Sequence, residues 1–241
     1  FVMLNENGRR SPGNDMFVNG ATLAKQIEFV TDYYNVDKLD IIAHSKGGVD
    51  AQAAIVYSGA APHVRNVFTL ASPHWGSELA DLVLSAPGNQ LASTLDSPAN
   101  AALTSIQTGV MSEFRVQTDP LSAGQSVRYF SAAGNDIGPP RTALRLTGTY
   151  LLRNFGSNDG FVTVDSTQLP GSRLLFIQPF DHDAIRHGRN AFPWIRTILI
   201  EGTSARLLET PEKPAEKRSS TILRGGMAEG GAIYEFPVED G

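Results

Sequence analysis

The sequence predicts an α/β protein, a mostly parallel sheet with helices on both faces. Three observations predict it. Short strand-like runs recur along the chain at residues 39–43, 64–70, 127–132 and 174–177. Helix-like stretches separate the first of them: Leu23, Ile27, Val30 and Tyr34 fall at helical spacing, and Val49, Ala53, Ala54 and Val56 sit in a small-residue stretch. Finally, the first run ends in Ala43-His44-Ser45-Lys46-Gly47-Gly48, the outline of a strand turning sharply into a helix at one serine. Strands that alternate with helices pair in parallel.

Residues 1–4, Phe-Val-Met-Leu, read as a buried strand, and the polar stretch 5–19 as a loop. A helix is expected from Gly20, with Asn19 as its cap. The strand at 39–43 follows, then a helix from Lys46 to about Tyr57. The strand at 64–70 ends in Ala71-Ser72-Pro73-His74-Trp75-Gly76. Residues 77–120 contain no convincing strand. Leu79, Leu82 and Val83 fit one short helix there, and Ser97-Pro98 supplies a cap and a first-turn proline for a second helix through Leu103 and Ile106. Two further strands lead to a last helix over 191–200, with Pro193 in its first turn. Residues 201–220 are charged and proline-bearing and read as a linker. Apolar residues return in 221–241 (Ile233, Tyr234, Phe236, Val238), which reads as the start of a β-rich domain or as a docked tail.

The composition is that of a globular domain: 241 residues, 41% hydrophobic and 19% charged. A net charge of −5 argues against nucleic acid as a partner and offers no basic membrane patch. The 241 residues include no cysteine, so thiol catalysis, disulfides and cysteine-ligated metals are excluded within them. No run of about 18 apolar residues is present, and no signal peptide is visible.

The stretch around Ser45 has the outline of a nucleophile elbow. Small residues two before and two after the serine, Ala43 and Gly47, let the strand approach the helix, and the serine backbone is strained. The turn lifts the hydroxyl above the sheet. It also aims the Lys46 backbone N–H and the helix N-terminus at the place where a carbonyl oxygen becomes negative. A serine hydroxyl needs a general base, and the base an orienting carboxylate.

Five histidines are available as the base. His44 belongs to the elbow and faces sideways. His63 lies at the amino end of a strand, the wrong end of the sheet. The chain order serine, acid, histidine favours His182, in Phe180-Asp181-His182-Asp183, over His187 and then His74. Two loops offer an acid, Asn135-Asp136 and Asn158-Asp159-Gly160. Spacing does not separate Asp136 from Asp159, and either fits an ordinary turn aspartate.

With these residues in place, the chain resembles the bacterial secreted lipases (triacylglycerol lipases) of the α/β-hydrolase superfamily, over residues 1 to about 200. The resemblance rests on Ile42-Ala43-His44-Ser45-Lys46-Gly47-Gly48, on Leu70-Ala71-Ser72-Pro73-His74-Trp75-Gly76-Ser77 with Ala80-Asp81, on Leu103-Thr104 with Phe114 and Pro120, on Asn158-Asp159-Gly160-Phe161-Val162, and on Asp181-His182. It implies an α/β-hydrolase fold and Asp159 as the acid of a Ser45, His182, Asp159 triad. It further implies a helical lid over about 77–120, an extracellular location and an acyl ester or lipid substrate, reached through transient contact with a lipid interface. Close variants on the same triad are a polyester depolymerase, an acyltransferase or a thioesterase; a non-catalytic hydrolase-like binding module is a further reading. By the same resemblance a strand ending in His-Gly, donor of half the oxyanion hole, belongs ahead of Phe1, so the N-terminal strands of the fold are missing from this stretch. Calcium-binding relatives carry an aspartate two residues after the histidine, where this chain has Ala184, so no such calcium site, and no cofactor, is expected. Lys46 departs from the small, apolar or polar residue usual after the serine.

Overall fold

The computed structural model describes residues 14–85 and 98–207. Four strands, β1 (Leu39–His44), β2 (Val64–Leu70), β3 (Arg128–Gly134) and β4 (Arg173–Gln178), form one sheet in the order β1-β2-β3-β4. Every pairing is parallel, with Ile42 opposite Phe68, Phe68 opposite Phe130 and Ala132 opposite Phe176. The parallel arrangement expected from the strand–helix alternation is therefore present. The expected strand at residues 1–4 lies outside the described residues.

Alternation along β2, shifted once where Leu39 pairs with Val64 and Asp40 with Asn66, makes the two faces. Val64 and Val67 point to one side, where they meet Leu23, Ala24 and Ile27 of helix α1 (Met16–Tyr34) and Ala51, Ala54 and Ile55 of α2 (Lys46–Tyr57). Phe68 and Leu70 point to the other, packed with Phe130, Ala132, Phe176, and Ala191 and Ile195 of the final helix. Phe68 and Phe130 stack at 4.9 Å between ring centroids. β2 is buried along nearly its whole length because both of its faces are covered, and it holds Asn66 and Thr69 beside its apolar residues.

α1 begins four residues before the expected start. Its cap is Asp15, whose carboxylate accepts the N–H groups of Phe17 and Val18. Asn19, read as the cap, lies inside the helix and is buried. The buried stripe is Met16, Gly20, Leu23, Ala24, Ile27 and Thr31, while Tyr34 is exposed. Gly20 is where α1 meets α2: a Cβ there would come within 2.9 Å of the Ala54 nitrogen.

The segment between β2 and β3 is helical, as expected. It holds α3 (Glu78–Leu84), α4 (Pro98–Ser105), α5 (Thr108–Thr118) and the single turn α6 (Ser122–Gln125). The serine proposed as the cap of α4, at 97, lies outside the described residues. α5 was not foreseen. Its Met111 and Phe114 are buried against Met16 of α1 and Val49 and Ala53 of α2, so this part of the expected lid is built into the body of the domain. Helix α7 (Ala143–Asn154), between β3 and β4, was also not foreseen. The last helix, α8 (Gly188–Leu207), begins earlier than expected and puts Pro193 beyond its first turn. It also runs to Leu207, seven residues into the stretch read as linker. The rest of that stretch and residues 221–241 lie outside the described residues.

Candidate active site

The C-terminal ends of the strands carry the site, where parallel sheets of this kind place their ligands. His44 ends β1 and Lys46 opens α2, so Ser45 alone makes the turn. It adopts φ 55° and ψ −136°, a conformation that costs a non-glycine residue on the order of 1–3 kcal/mol. Two bonds hold it there. Its N–H donates to the carbonyl of Leu70, the last residue of β2, at 2.9 Å, and its own carbonyl accepts from Gly48 at 3.1 Å.

The steric constraint on this turn falls one residue later than expected. A Cβ on Gly47 would make ordinary contact with the Ala43 Cβ at 3.9 Å. A Cβ on Gly48 would land on the Ser72 side chain and lie 3.0 Å from Thr69 Cγ2. Gly48, not Gly47, is the position that admits no side chain.

His182 hangs from the loop after β4. Its Nδ1 lies 2.7 Å from Asp159 Oδ2, and its Nε2 lies 3.0 Å from Ser45 Oγ. A proton on Nδ1 faces the carboxylate, which leaves Nε2 with a lone pair for the Ser45 hydroxyl. Asp159 is 1% exposed. Its second oxygen accepts the N–H groups of Phe161 at 3.0 Å and Val162 at 2.8 Å. The His182 N–H closes a further bond to the Asp159 carbonyl at 2.8 Å. Next door, Asn158 ties the loop to Gly148, Gly156 and Gly160. The carboxylate is thus oriented by its own turn before it meets the imidazole.

The remaining candidates fall elsewhere. Asp136 follows β3, and its Oδ1 accepts the Gly138 N–H in a local turn. His74 is wholly buried, with Nε2 3.1 Å from Thr69 Oγ1; burial, then the nearby Arg115, pull its pKa down to about 3. His63 sits at the amino end of β2, 3.5 Å from the Thr31 hydroxyl. His187 is on the surface, 3.9 Å from Asp183. His44 does not bond Ser45; its Nε2 lies 2.8 Å from the His182 carbonyl oxygen.

Lys46, the odd residue of the elbow, turns its ammonium along α2 onto Asp50 at 2.6 Å. The other Asp50 oxygen accepts from Asn19 of α1 at 2.9 Å. Burial pushes the Asp50 carboxyl above its usual range. The Lys46 backbone N–H lies in the first turn of α2, where helix N–H groups have no intrahelical acceptor and the dipole favours negative charge.

The insertion is fastened beside the site by polar contacts. The Asp81 carboxylate accepts from both the N–H and the hydroxyl of Thr108, at 3.1 and 2.6 Å. Ser77 donates to the Phe161 carbonyl at 3.1 Å, and the Phe161 ring lies 5.0 Å from that of His182. Arg115 of α5 is 2% exposed, pairs with Asp119 at 3.4 Å and lies over the Phe114 ring; burial pulls its pKa down to about 10. Among the described residues, no group of three or more His, Cys, Asp or Glu could hold a metal ion. Asp181 is engaged by the backbone, accepting the N–H groups of Asp183 and Ala184. No helix among the described residues is long and apolar enough to cross a membrane.

Comparison with known proteins follows the same lines. The PGAP1-like alpha/beta domain family matches residues 13–119. A triacylglycerol lipase of Pseudomonas fragi is 25% identical over 221 residues, spanning 73% of this chain and 74% of the relative. The mature Bacillus licheniformis lipase BlEst2 is 39% identical, with a TM-score of 0.72 over 79% of this chain and 76% of its own. The chain belongs to the bacterial lipase family. It is a carboxylic-ester hydrolase with the α/β-hydrolase fold. The propeptide form of BlEst2 matches this lipase domain at 36% identity and a TM-score of 0.75, over 88% of this chain and 44% of that longer one.

Four features of the lipase site escaped the sequence reading. Gly48 was present in the motif as the second glycine. Asn19 and Asp50 are polar residues at buried helical positions, explained by their mutual bond and by the Lys46 ammonium on Asp50. Phe161 lay inside the Asn-Asp-Gly-x-Val string without a role. His44 faces sideways from Ser45 in the elbow, and no sequence signal points to its partner.

Proposed function

We propose that Ser45, His182 and Asp159 are the catalytic triad of this ester hydrolase, and that the Lys46 backbone N–H is one donor of its oxyanion hole. The observation that carries the reading is the pair of contacts on one imidazole, 2.7 Å to Asp159 and 3.0 Å to Ser45. The Ser45 oxygen attacks the ester carbonyl carbon while its proton passes to His182 Nε2. The carbonyl oxygen becomes an oxyanion opposite the Lys46 N–H. When the intermediate collapses, the bond to the alcohol oxygen breaks and His182 returns the proton to that oxygen. Water then attacks the acyl-serine, giving its proton to His182, and the acid departs as Ser45 is restored. Asp159 holds the Nδ1 proton and stabilises the imidazolium throughout.

The substrate class is an acyl ester of lipid type, in keeping with the lipase relatives. Exposed Trp75 and Leu82 near the insertion suit transient contact with a lipid interface. An extracellular location belongs to the same reading. The test is Ser45→Ala against a panel of p-nitrophenyl acyl esters. Loss of turnover by about 1,000-fold or more is expected, and near-native turnover would refute the assignment.

A further inference from the structure

In the sheet order β1-β2-β3-β4, two strands separate the elbow from the strand that carries His182. At about 4.8 Å per strand, β1 and β4 stand about 14 Å apart. The loop after β4 must therefore reach back over β3 and β2 for the imidazole to meet Ser45. Such a loop needs anchors on both sides. Asp159 supplies one, through its carboxylate and its carbonyl. On the β1 side the His44 side chain reaches the His182 main chain, with its Nε2 2.8 Å from the carbonyl oxygen across 138 residues of sequence. The acceptor is a carbonyl, so Nε2 is the protonated nitrogen and His44 donates. The two imidazoles also pack together, with centroids 4.7 Å apart and planes at 48°, and Phe161 lies 5.0 Å from the His182 ring.

We propose that His44 is a positioning residue for the ester hydrolysis: its Nε2–H holds the His182 carbonyl and so keeps the imidazole over Ser45. The proposal rests on the triad reading above. His44 suits the part because it stays neutral. Burial, and next the neighbouring His182, hold its pKa down to about 4. A second cation beside the imidazolium formed during acyl transfer would oppose the reaction, and the neutral ring avoids it. Attaching the anchor to the residue before the nucleophile also ties base and nucleophile to one rigid strand end. A loop that drifts by about 1 Å loses about 100-fold in rate through misalignment alone.

The test compares His44→Phe, His44→Gln and His44→Asn with the unmodified chain, using kcat and KM on a soluble p-nitrophenyl ester and the rate of Ser45 labelling by a fluorophosphonate. Phenylalanine keeps a ring of similar shape and removes the donor. The glutamine amide nitrogen reaches the position of Nε2, whereas the asparagine amide falls short. Expected results are a fall in kcat of about 10- to 100-fold for His44→Phe and His44→Asn, KM within about twofold, parallel slowing of labelling, and recovery to within a few-fold for His44→Gln. Equal kcat in the Phe and unmodified proteins, or equal impairment of Gln and Asn, would overturn the proposal; the Gln and Asn pair decides if the Phe variant does not fold. Ser45→Ala is run beside them. If that variant keeps its turnover the triad reading itself fails, an outcome separate from any result at residue 44.

Discussion

The most demanding prediction concerns His74 and acid stability. The ring is wholly buried, and its hydrogen-bond chemistry determines its protonation. Thr69 commits its hydroxyl proton to the Phe130 carbonyl, so it can only accept from His74, whose Nε2 therefore carries the hydrogen. Nδ1 is buried and has no hydrogen-bond partner among the described residues. Protonating it would create an N–H without an acceptor, in a cation desolvated by burial and repelled by Arg115. The folded pKa of about 3 lies below the ordinary 6.5, so the unfolded chain binds this proton more readily than the folded one. The associated stability is fully present above about pH 6.5 and is lost as pH falls toward about 3. Between pH 7.5 and pH 4.5 the loss from this residue integrates to about 3 kcal/mol, a large share of the 5–15 kcal/mol typical of a domain. The perturbation is His74→Gln, which keeps a donor for Thr69 and cannot ionise. Urea unfolding at the two pH values gives four free energies. The fixed packing cost of the substitution is the same at both pH values, and the titration of the carboxylates is the same in both proteins, so both cancel in the double difference. The unmodified protein should lose about 3 kcal/mol more than the variant on acidification. Parallel losses would show that His74 is as protonatable folded as unfolded, and the argument from its buried, unpartnered nitrogen would fail.

Two further predictions concern the turn and the acid. Gly48→Ala should cost several kcal/mol and lower kcat, because the methyl meets Ser72 and Thr69, whereas Gly47→Ala should fold with near-native thermal stability. Thermal melts of the two variants check this, and equal melting temperatures would refute it. Asp159→Asn should reduce kcat by about 10,000-fold through the wrong imidazole tautomer, while Asp136→Asn, which keeps a carbonyl oxygen for the Gly138 N–H, should leave kcat within about twofold. Steady-state kinetics on one ester suffices, and the reverse ranking would reassign the acid.

What the linear chain determined by itself was local. The four strand positions followed from apolar runs, and α2 from a small-residue stretch after a sharp turn. The Ser45 turn was legible because its requirement for small neighbours and a preceding strand is written within ten residues. Elements whose inner faces are polar were not legible. α5 buries Arg115 and Thr118 beside Met111 and Phe114, and α1 buries Asn19, so apolar periodicity misled there. α7 exposes Leu146 and Leu152 and buries Gly148 and Leu151, which inverts the usual signal. The acid stayed open between Asp136 and Asp159 because each sits in a turn with its own local bonds. The family resemblance favoured Asp159, and the fold puts residue 159 beside residue 182 and residue 182 beside residue 45. The same holds for His44 and His74. Sequence names an imidazole, but its tautomer, charge and role depend on which oxygen stands across from it, and that is decided by strands and loops remote in the chain.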